Sequence, residues 1–389
     1  MCSKQIRVTF LATLPLNSST IIGRTIPLAT ELQKRGHDVN LITLGKTTDI
    51  SENQSIPTKI AGPTFRIDSK KPYFFQLISR YVSAKNGLRL ALNEQETDVV
   101  VLVKPHPQNY SAIKKIPVPF ILDSDDEEKY SSRTNYLEKV ILGSIDKHAS
   151  KKSQLITACS PFLVAKYKQI CPNKPVEFIP TAISNETSTD FLDLRRYFDL
   201  DSNSQIILYL GSLSISSGHR IDQILNIWNE ISTQNLKLHL ILAGDGIDAD
   251  IIRARAKLLS NNNRIHFFGR FDNNLADCFT RQANLLVDPV DNSITNQAKS
   301  SSRTLQALKN GTPIVTGNVG IRNLLIPESL HNWALYDPNN PITLVNNIKY
   351  GLTDEAKTIF RDNTKDNWKQ WTWDVVGAKF SSLIEELTL

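Results

Sequence analysis

No apolar run among the 389 residues reaches the roughly 18–20 that a helix needs to cross a bilayer, which excludes a helical membrane-spanning chain. The short stretch Val8–Leu16 carries no clear small-residue cleavage site and reads as a first buried strand rather than a leader peptide. Cysteine is scarce. Cys2, Cys159, Cys171 and Cys278 form no Cys-x-x-Cys pair, which argues against a structural metal site and for a reducing compartment, so the cytoplasm is the expected location. No internal repeat or low-complexity tract interrupts the sequence. What remains is ordinary globular composition, 40% hydrophobic and 22% charged, over a length that accommodates two domains with a core each.

Charge is unevenly spread. Residues 1–200 hold 27 Lys+Arg against 20 Asp+Glu and the remainder 18 against 19, so the first half supplies the whole excess behind the net +6. Two readings stand: attraction to an anionic partner such as a lipid headgroup surface, and solvated lysines that keep the domain in solution. Nothing in the pattern calls for nucleic acid.

Short apolar strands alternate with amphipathic helices almost throughout, the signature of parallel sheets covered by helices. Strands are expected at Ile6–Leu11, Val39–Thr43, Val99–Val103, Phe120–Leu122, Leu155–Ile156 and Val176–Ile179. A helix with Leu28 and Leu32 on one face ends at Gly36. After a polar, acidic segment at 186–201 that reads as a hinge, a second series begins with the strands in SQIILYLGSL, LKLHLILAGDG, NRIHFFGRF, QANLLVDPV and TPIVTG. The expected fold class is α/β, two doubly wound Rossmann-like domains facing across a cleft. Their bounds are 1–185 and 204–370, with a final helix over 371–389 returning to the first.

In open sheets of this kind ligands sit beyond the carboxyl ends of the strands. Glycine marks three such ends in the second series, at Gly211, at Gly244 and Gly246, and at Gly269. The segment Asn296–Gly320 adds a helix with Leu305 and Leu308 on one face, closing on Gly311 before the strand at Ile314. Lys299, Ser300, Ser301, Ser302 and Arg303 stand at its start, where free backbone N–H groups favour an anion. Cations gain nothing from that end of a helix dipole, which favours a binding role for Lys299 and Arg303 over a solvent-facing one.

With these elements in order, the sequence resembles the GT-B glycosyltransferases, and most closely the retaining family 4. The resemblance is carried by Gly211-Ser-Leu with Gly218, by Leu242-Ala-Gly-Asp-Gly246, by Phe268-Gly269-Arg270 and by Leu305–Pro313. Lys34–Val39, Ser160–Tyr167 and Phe178–Ser184 resemble landmarks of the family's first domain. The resemblance implies a nucleotide-sugar co-substrate such as a UDP- or GDP-sugar, no other cofactor and no metal. It also implies a nucleotide-sugar-binding second domain and a first domain that receives a glycan, lipid-linked or small-molecule acceptor. Peripheral contact with an anionic membrane at its inner face is a further partner expected from the basic excess of the first half, not from the resemblance. Gly211, Ser212, Ser217, Lys299, Ser300 and Arg303 would hold the donor diphosphate, and Gly244, Gly269, Arg270 and Gln306 the nucleoside. Gly23 and Arg24, at the first helix start, match a loop that touches donor phosphate and acceptor.

The chain departs from the family pattern. Ser212 and Ser217 occupy the places of a diphosphate-gripping arginine and lysine, and Ala298 and Gln306 those of the paired glutamates. Lys299 and Arg303 are expected to restore the missing positive charge, Arg303 through a bidentate grip. His219 and Arg220 flank the same place, each equally readable as a surface residue.

In the first domain, Asp123, Asp125 and Asp126 follow a strand, where crowded carboxylates would raise one another's pKa or take a cation. By resemblance Asp125 falls where many members place a catalytic histidine. An Asp-x-Asp metal site at Asp123–Asp125 and an acidic helix cap at Glu127 and Glu128 are the alternatives. His106, beside Lys104 at another strand end, is the second catalytic candidate, as base or sugar contact. Ser69–Lys85 mixes lysine and arginine with aromatics and suits either an anionic membrane or core packing. The reading is a glycosyltransferase. Its alternatives are a non-catalytic nucleotide-sugar-binding relative and a nucleotide-sugar epimerase of the same fold.

Overall fold

The computed structural model describes residues 5–46, 55–64, 73–114, 116–130 and 135–388, with side chains from Ile78 onward in the third segment. The chain forms two compact units, Met1–Ala182 with Trp373–Leu389, and Ile183–Thr372.

The first unit is built on seven parallel strands: β1 (Arg7–Leu11), β2 (Asp38–Thr43), β3 (Thr58–Ile60), β4 (Val99–Val103), β5 (Phe120–Ser124), β6 (Leu155–Ala158) and β7 (Val176–Phe178). Their order, β3-β2-β1-β4-β5-β6-β7, reverses direction between β1 and β4. Every residue of β4 is buried, as expected for a valine run covered by helices on both faces. The helix Trp373–Thr388 closes this core, with its Phe380 ring 6.3 Å from Phe10. It approaches the helix Ile26–Lys34 closely because position 377 is glycine; a Cβ there would lie 2.5 Å from Glu31 Cβ.

The second unit repeats the plan with β8 (Gln205–Leu210), β9 (Leu238–Ala243), β10 (Ile265–Gly269), β11 (Leu285–Asp288), β12 (Ile314–Gly317) and β13 (Leu335–Tyr336). The order β10-β9-β8-β11-β12-β13 is the doubly wound one, with its reversal between β8 and β11. The helix Ile221–Thr233 turns Ile221, Ile224, Leu225, Trp228 and Ile231 into the core at helical spacing. The expected α/β class with two doubly wound sheets is therefore present. The short strands β3 and β13 add to those read from the sequence.

The segment 186–201 is not a bare hinge. Ser188 N donates to Asp277 Oδ2 (3.3 Å), Leu194 N to Gln282 Oε1 (2.8 Å), and Leu194 is fully buried, so it is strapped onto the second unit. Of the aromatic and basic stretch 69–85, Lys70 and Lys71 and the side chains of Tyr73, Phe74 and Phe75 lie outside the described residues. Farther along that helix (Tyr73–Asn93), Ala84 and Leu88 are buried and Tyr81 Oη donates to Ser111 Oγ (2.7 Å), which is packing. Cys159, Cys171 and Cys278 are free, buried thiols. Among the described residues no helix is long and apolar enough to cross a membrane.

Adjacent strands β9 and β10 place His239 Nδ1 3.0 Å from His266 Nε2. Burial first, and His239 second, hold the His266 imidazole down at about 4; His239 is also lowered by burial. The folded chain thus binds fewer protons than the unfolded one between about pH 4 and the unfolded value near 6.5, so stability falls as pH drops through that window. Urea unfolding should give a lower midpoint at pH 5 than at pH 7.5, and His266→Phe should reduce the difference. An unchanged difference would remove His266 as its source.

Candidate active site

In the second unit, the β8 and β9 ends meet through two glycines. Gly211 (φ 129°) and Gly244 (φ 147°) both adopt backbone that side chains avoid. A Cβ on Gly244 would sit 1.8 Å from the Gly211 carbonyl oxygen, and one on Gly211 would lie 3.1 Å from Arg303 Nη2. Bare backbone at Gly211 therefore lets the Arg303 guanidinium lie against the turn, stacked 4.5 Å over the Tyr209 ring.

The helix that carries Arg303 spans Ser302–Asn310. It starts later than the sequence suggested because Ser301 is the cap, its Oγ accepting from Thr304 N (3.4 Å). Lys299 and Ser300 precede it, and Lys299 Nζ donates to the Ser217 carbonyl oxygen (3.0 Å). The opening amides of this helix have no intrahelical partner. Gly311 ends it in the left-handed conformation (φ 60°).

Beneath this helix start lies Asp288, the last residue of β11 and fully buried. Its Oδ1 takes Arg303 Nη1, and its Oδ2 takes Ser301 Oγ (2.9 Å) and Arg322 Nε (2.9 Å). Burial alone would raise this carboxyl, but Arg322 and Arg303 outweigh it and hold the group well below the usual range. One carboxylate thus stands between two guanidiniums, leaving positive charge at the sheet reversal.

His219 Nδ1 sits 2.8 Å from Arg303 Nη2. A guanidinium only donates, so Nδ1 accepts and the proton resides on Nε2. Burial and then the charges of Arg303 and Lys299 push His219 well below its ordinary value, which keeps it neutral. Arg220 is bound to Asp222 and Asp291 and has no share in this group.

The nucleoside candidates are more dispersed. Gly244 N donates to the Gly269 carbonyl oxygen (2.8 Å), and Arg270 is exposed beyond it. Gln306 Nε2 donates to Asp277 Oδ1 (2.6 Å), a carboxylate that also takes Lys309 Nζ (2.9 Å) and Asn310 Nδ2 (2.9 Å). Ala298 is fully buried, and the Ser212 carbonyl oxygen accepts from Tyr209 Oη (2.6 Å).

In the first unit the acidic segment does not form one crowd. Asp123 pairs in the interior with Arg24, from Nε at 2.9 Å and Nη2 at 2.6 Å, and accepts from Thr157 Oγ1 (2.7 Å). Burial would lower the Arg24 guanidinium, but Asp123 raises it above its ordinary value. Arg24, expected to meet donor phosphate, is thus buried with its charge already matched. Its neighbour Gly23 is exposed, in a π-helical turn (Ile21–Thr25) that runs into the helix Ile26–Lys34.

Asp125 instead accepts from Thr20 Oγ1 (2.9 Å) and has Lys104 Nζ 3.3 Å away. Lys104 also binds Glu128; burial, which would lower its ammonium, is outweighed by Asp125, Glu128 and Asp126, and the group is held well above its usual value. Glu127 pairs with Lys166 (2.6 Å), while Glu128 opens the short helical turn Glu128–Tyr130. Cations alternate with carboxylates here, which removes the mutual repulsion expected of Asp123, Asp125 and Asp126. His106 lies between Thr13 Oγ1, at its Nδ1, and Glu128 Oε2, 3.7 Å from its Nε2. Lys104 adopts φ 53° at the β4 exit, a strained turn braced by Asn109 Nδ2, which donates to the Val103 (3.0 Å) and Lys104 (2.8 Å) carbonyl oxygens.

Residues 25–187 match a family model described as Glycosyltransferase Family 4, and residues 204–354 one described as Glycosyl transferases group 1. The chain is a GT-B glycosyltransferase. Among solved structures it is similar to sucrose-phosphate synthase from Thermosynechococcus elongatus, at 15% identity over 99% of both chains with a TM-score of 0.75. It is similar to HepE of Anabaena in complex with UDP and glucose, at 14% identity over 98% of this chain and 99% of that one, TM-score 0.73. It is likewise similar to WaaG, a glycosyltransferase involved in lipopolysaccharide biosynthesis, at 14% identity over 97% and 99%, TM-score 0.69. No curated protein matched the sequence.

Within this glycosyltransferase, the structure joins Gly211, Ser217, Lys299 and Arg303 into one group, with Gly244 against it. Gln306 is directed to Asp277 instead. Sequence reasoning missed Asp288, Arg322, Asp277 and Asn109. Asp288 carried a signal: an aspartate closing the apolar strand Leu285–Val287 must be buried, and a buried carboxylate needs a cation.

Proposed function

We propose that this glycosyltransferase uses a nucleotide-sugar donor, whose diphosphate is held in the second unit at the start of the helix Ser302–Asn310. The observation that carries the reading is the positive charge left over where Asp288 stands between Arg303 and Arg322, beside bare backbone at Gly211. Free helix amides, Arg303 and Lys299 then meet a leaving diphosphate that gains charge as the sugar departs. We assign the nucleoside to the turns at Gly244 and Gly269 with Arg270. The binding of UDP and glucose by HepE supports a donor of this class.

In the proposed reaction the bond from the anomeric carbon to the diphosphate oxygen breaks, and the acceptor oxygen bonds to the same sugar face. The acceptor's proton passes to a diphosphate oxygen. The charge is met by protein groups, so the proposed reaction needs no metal. Asp125 and His106 are assigned to the first unit's sugar and acceptor contacts, each already oriented, Asp125 by Thr20 and Lys104 and His106 by Thr13. The free thiols at Cys159, Cys171 and Cys278 fit the proposed cytoplasmic location.

Thermal-shift titration with UDP, GDP and their sugars tests the donor assignment. One nucleotide family should raise the melting temperature saturably, and no shift with any would refute it. With the responding sugar, Asp125→Asn and His106→Ala should bind the nucleotide normally but turn over more slowly, and EDTA should leave the rate unchanged.

A further inference from the structure

At the β13 edge of the second unit's sheet, the exits of β12 and β13 line a cleft of about 320 Å³. Five of its ten lining residues are asparagine, and Asp337 is the single charged one among those described. The helix Pro341–Gly351 turns Leu344 and Ile348 into the core, and Asn347, on the same face, is only 8% exposed. Among the described residues nothing hydrogen-bonds the Asn347 side chain, which lines the cleft. A buried amide without a partner is costly, and packing alone would favour an apolar residue at this position. Asn318 and Asn332 stand exposed at the same cleft, their amides likewise unpaired among the described residues.

The frame around these amides is fixed by the fold. Asn318 N donates to the Tyr336 carbonyl oxygen (2.9 Å). Thr343 Oγ1 accepts from Asp337 N (3.0 Å) and donates to the Asn340 carbonyl oxygen (2.6 Å). Bare backbone at Gly317 lets Pro338 close in, since a Cβ there would lie 3.2 Å from Pro338 Cγ.

The chemistry of the lining selects its ligand. An anion would find no cation and would meet Asp337, and a metal ion would find a single carboxylate. Each amide offers both donors and an acceptor, which matches hydroxyl groups that give and take hydrogen bonds. Leu335 and Pro338 add an apolar wall suited to the C–H face of a sugar ring.

We infer that this cleft binds one or two sugar units of a neutral glycan, apart from the donor diphosphate. Asp288 pairs with Thr316 and Thr316 with Leu335, so the cleft wall stands two inter-strand spacings, about 10 Å, from the carboxylate beneath the diphosphate site. A glycan held there stays near the donor end of the sheet between transfers, which raises its local concentration. The inference rests on the side chains of the cleft and not on the donor assignment.

Calorimetric titration of the full chain with maltotriose, cellotriose and mannotriose tests this. At least one should bind saturably, with an affinity that salt leaves unchanged. Asn347→Leu, and separately N318A/N332A, should weaken the responding trisaccharide by about tenfold or more. The second variant alters only exposed side chains and should keep the wild-type melting temperature, so it decides the matter if Asn347→Leu folds poorly. No binding of any trisaccharide, or full binding by N318A/N332A, would overturn the inference. So would a variant that binds the bare nucleoside diphosphate normally but its sugar conjugate weakly, which would make the cleft part of the donor site. Failure of every nucleotide to bind, with trisaccharide binding intact, would count against the donor assignment alone.

Discussion

Replacing Arg303 with alanine should lower affinity for the responding nucleoside diphosphate by about ten- to a hundredfold, the range of one or two charge-assisted hydrogen bonds lost. The unit should still fold, because Asp288 keeps Arg322, Ser301 and Thr316. Arg303→Lys is the informative companion. It restores the charge but not the planar fork that lies on Tyr209 and reaches both Asp288 and His219, so it should recover only part of the loss. Calorimetric titration of the three proteins reads the effect directly, and equal affinities would place Arg303 outside the diphosphate site.

The largest effect on stability should come from the first unit's interior pair. Asp123→Ala leaves the Arg24 guanidinium buried without its carboxylate, which costs about 3–5 kcal/mol. Replacing both partners by apolar side chains, as in Arg24→Met with Asp123→Leu, should recover most of it, because the penalty arises from the unpaired charge rather than from a lost net attraction. Urea unfolding followed by near-ultraviolet signals would reveal both; a mild single variant would contradict the burial of the pair. The double variant also separates two roles of Arg24. If it binds nucleotide with unchanged affinity, Arg24 supports the site without touching donor phosphate.

Most of the fold was legible because burial on both faces forces apolar runs such as Val99–Val103, and because strand exits at Gly211 and Gly244 admit no side chain. The strands Thr58–Ile60 and Leu335–Tyr336 were not, being too short to show a pattern. The helix Ser302–Asn310 announced itself by its apolar face and Gly311, but not by its cap, Ser301. The partners of charged residues did not. Arg24 and Asp123 are 99 positions apart, and Gln306 finds Asp277 29 positions away. A sequence displays which groups carry charge, but which charges cancel is decided only when strand order brings distant turns together.

The packing of Phe380 against Phe10, with Gly377 set against Glu31, bears on how the chain emerges during synthesis. Residues 5–182 leave the ribosome without the helix that seals Val8, Phe10 and Leu28, and must wait for nearly two hundred more before Val376, Phe380 and Ile384 arrive. Throughout that interval a sheet flank stays open to water and to neighbouring nascent chains, the condition under which chaperones are engaged.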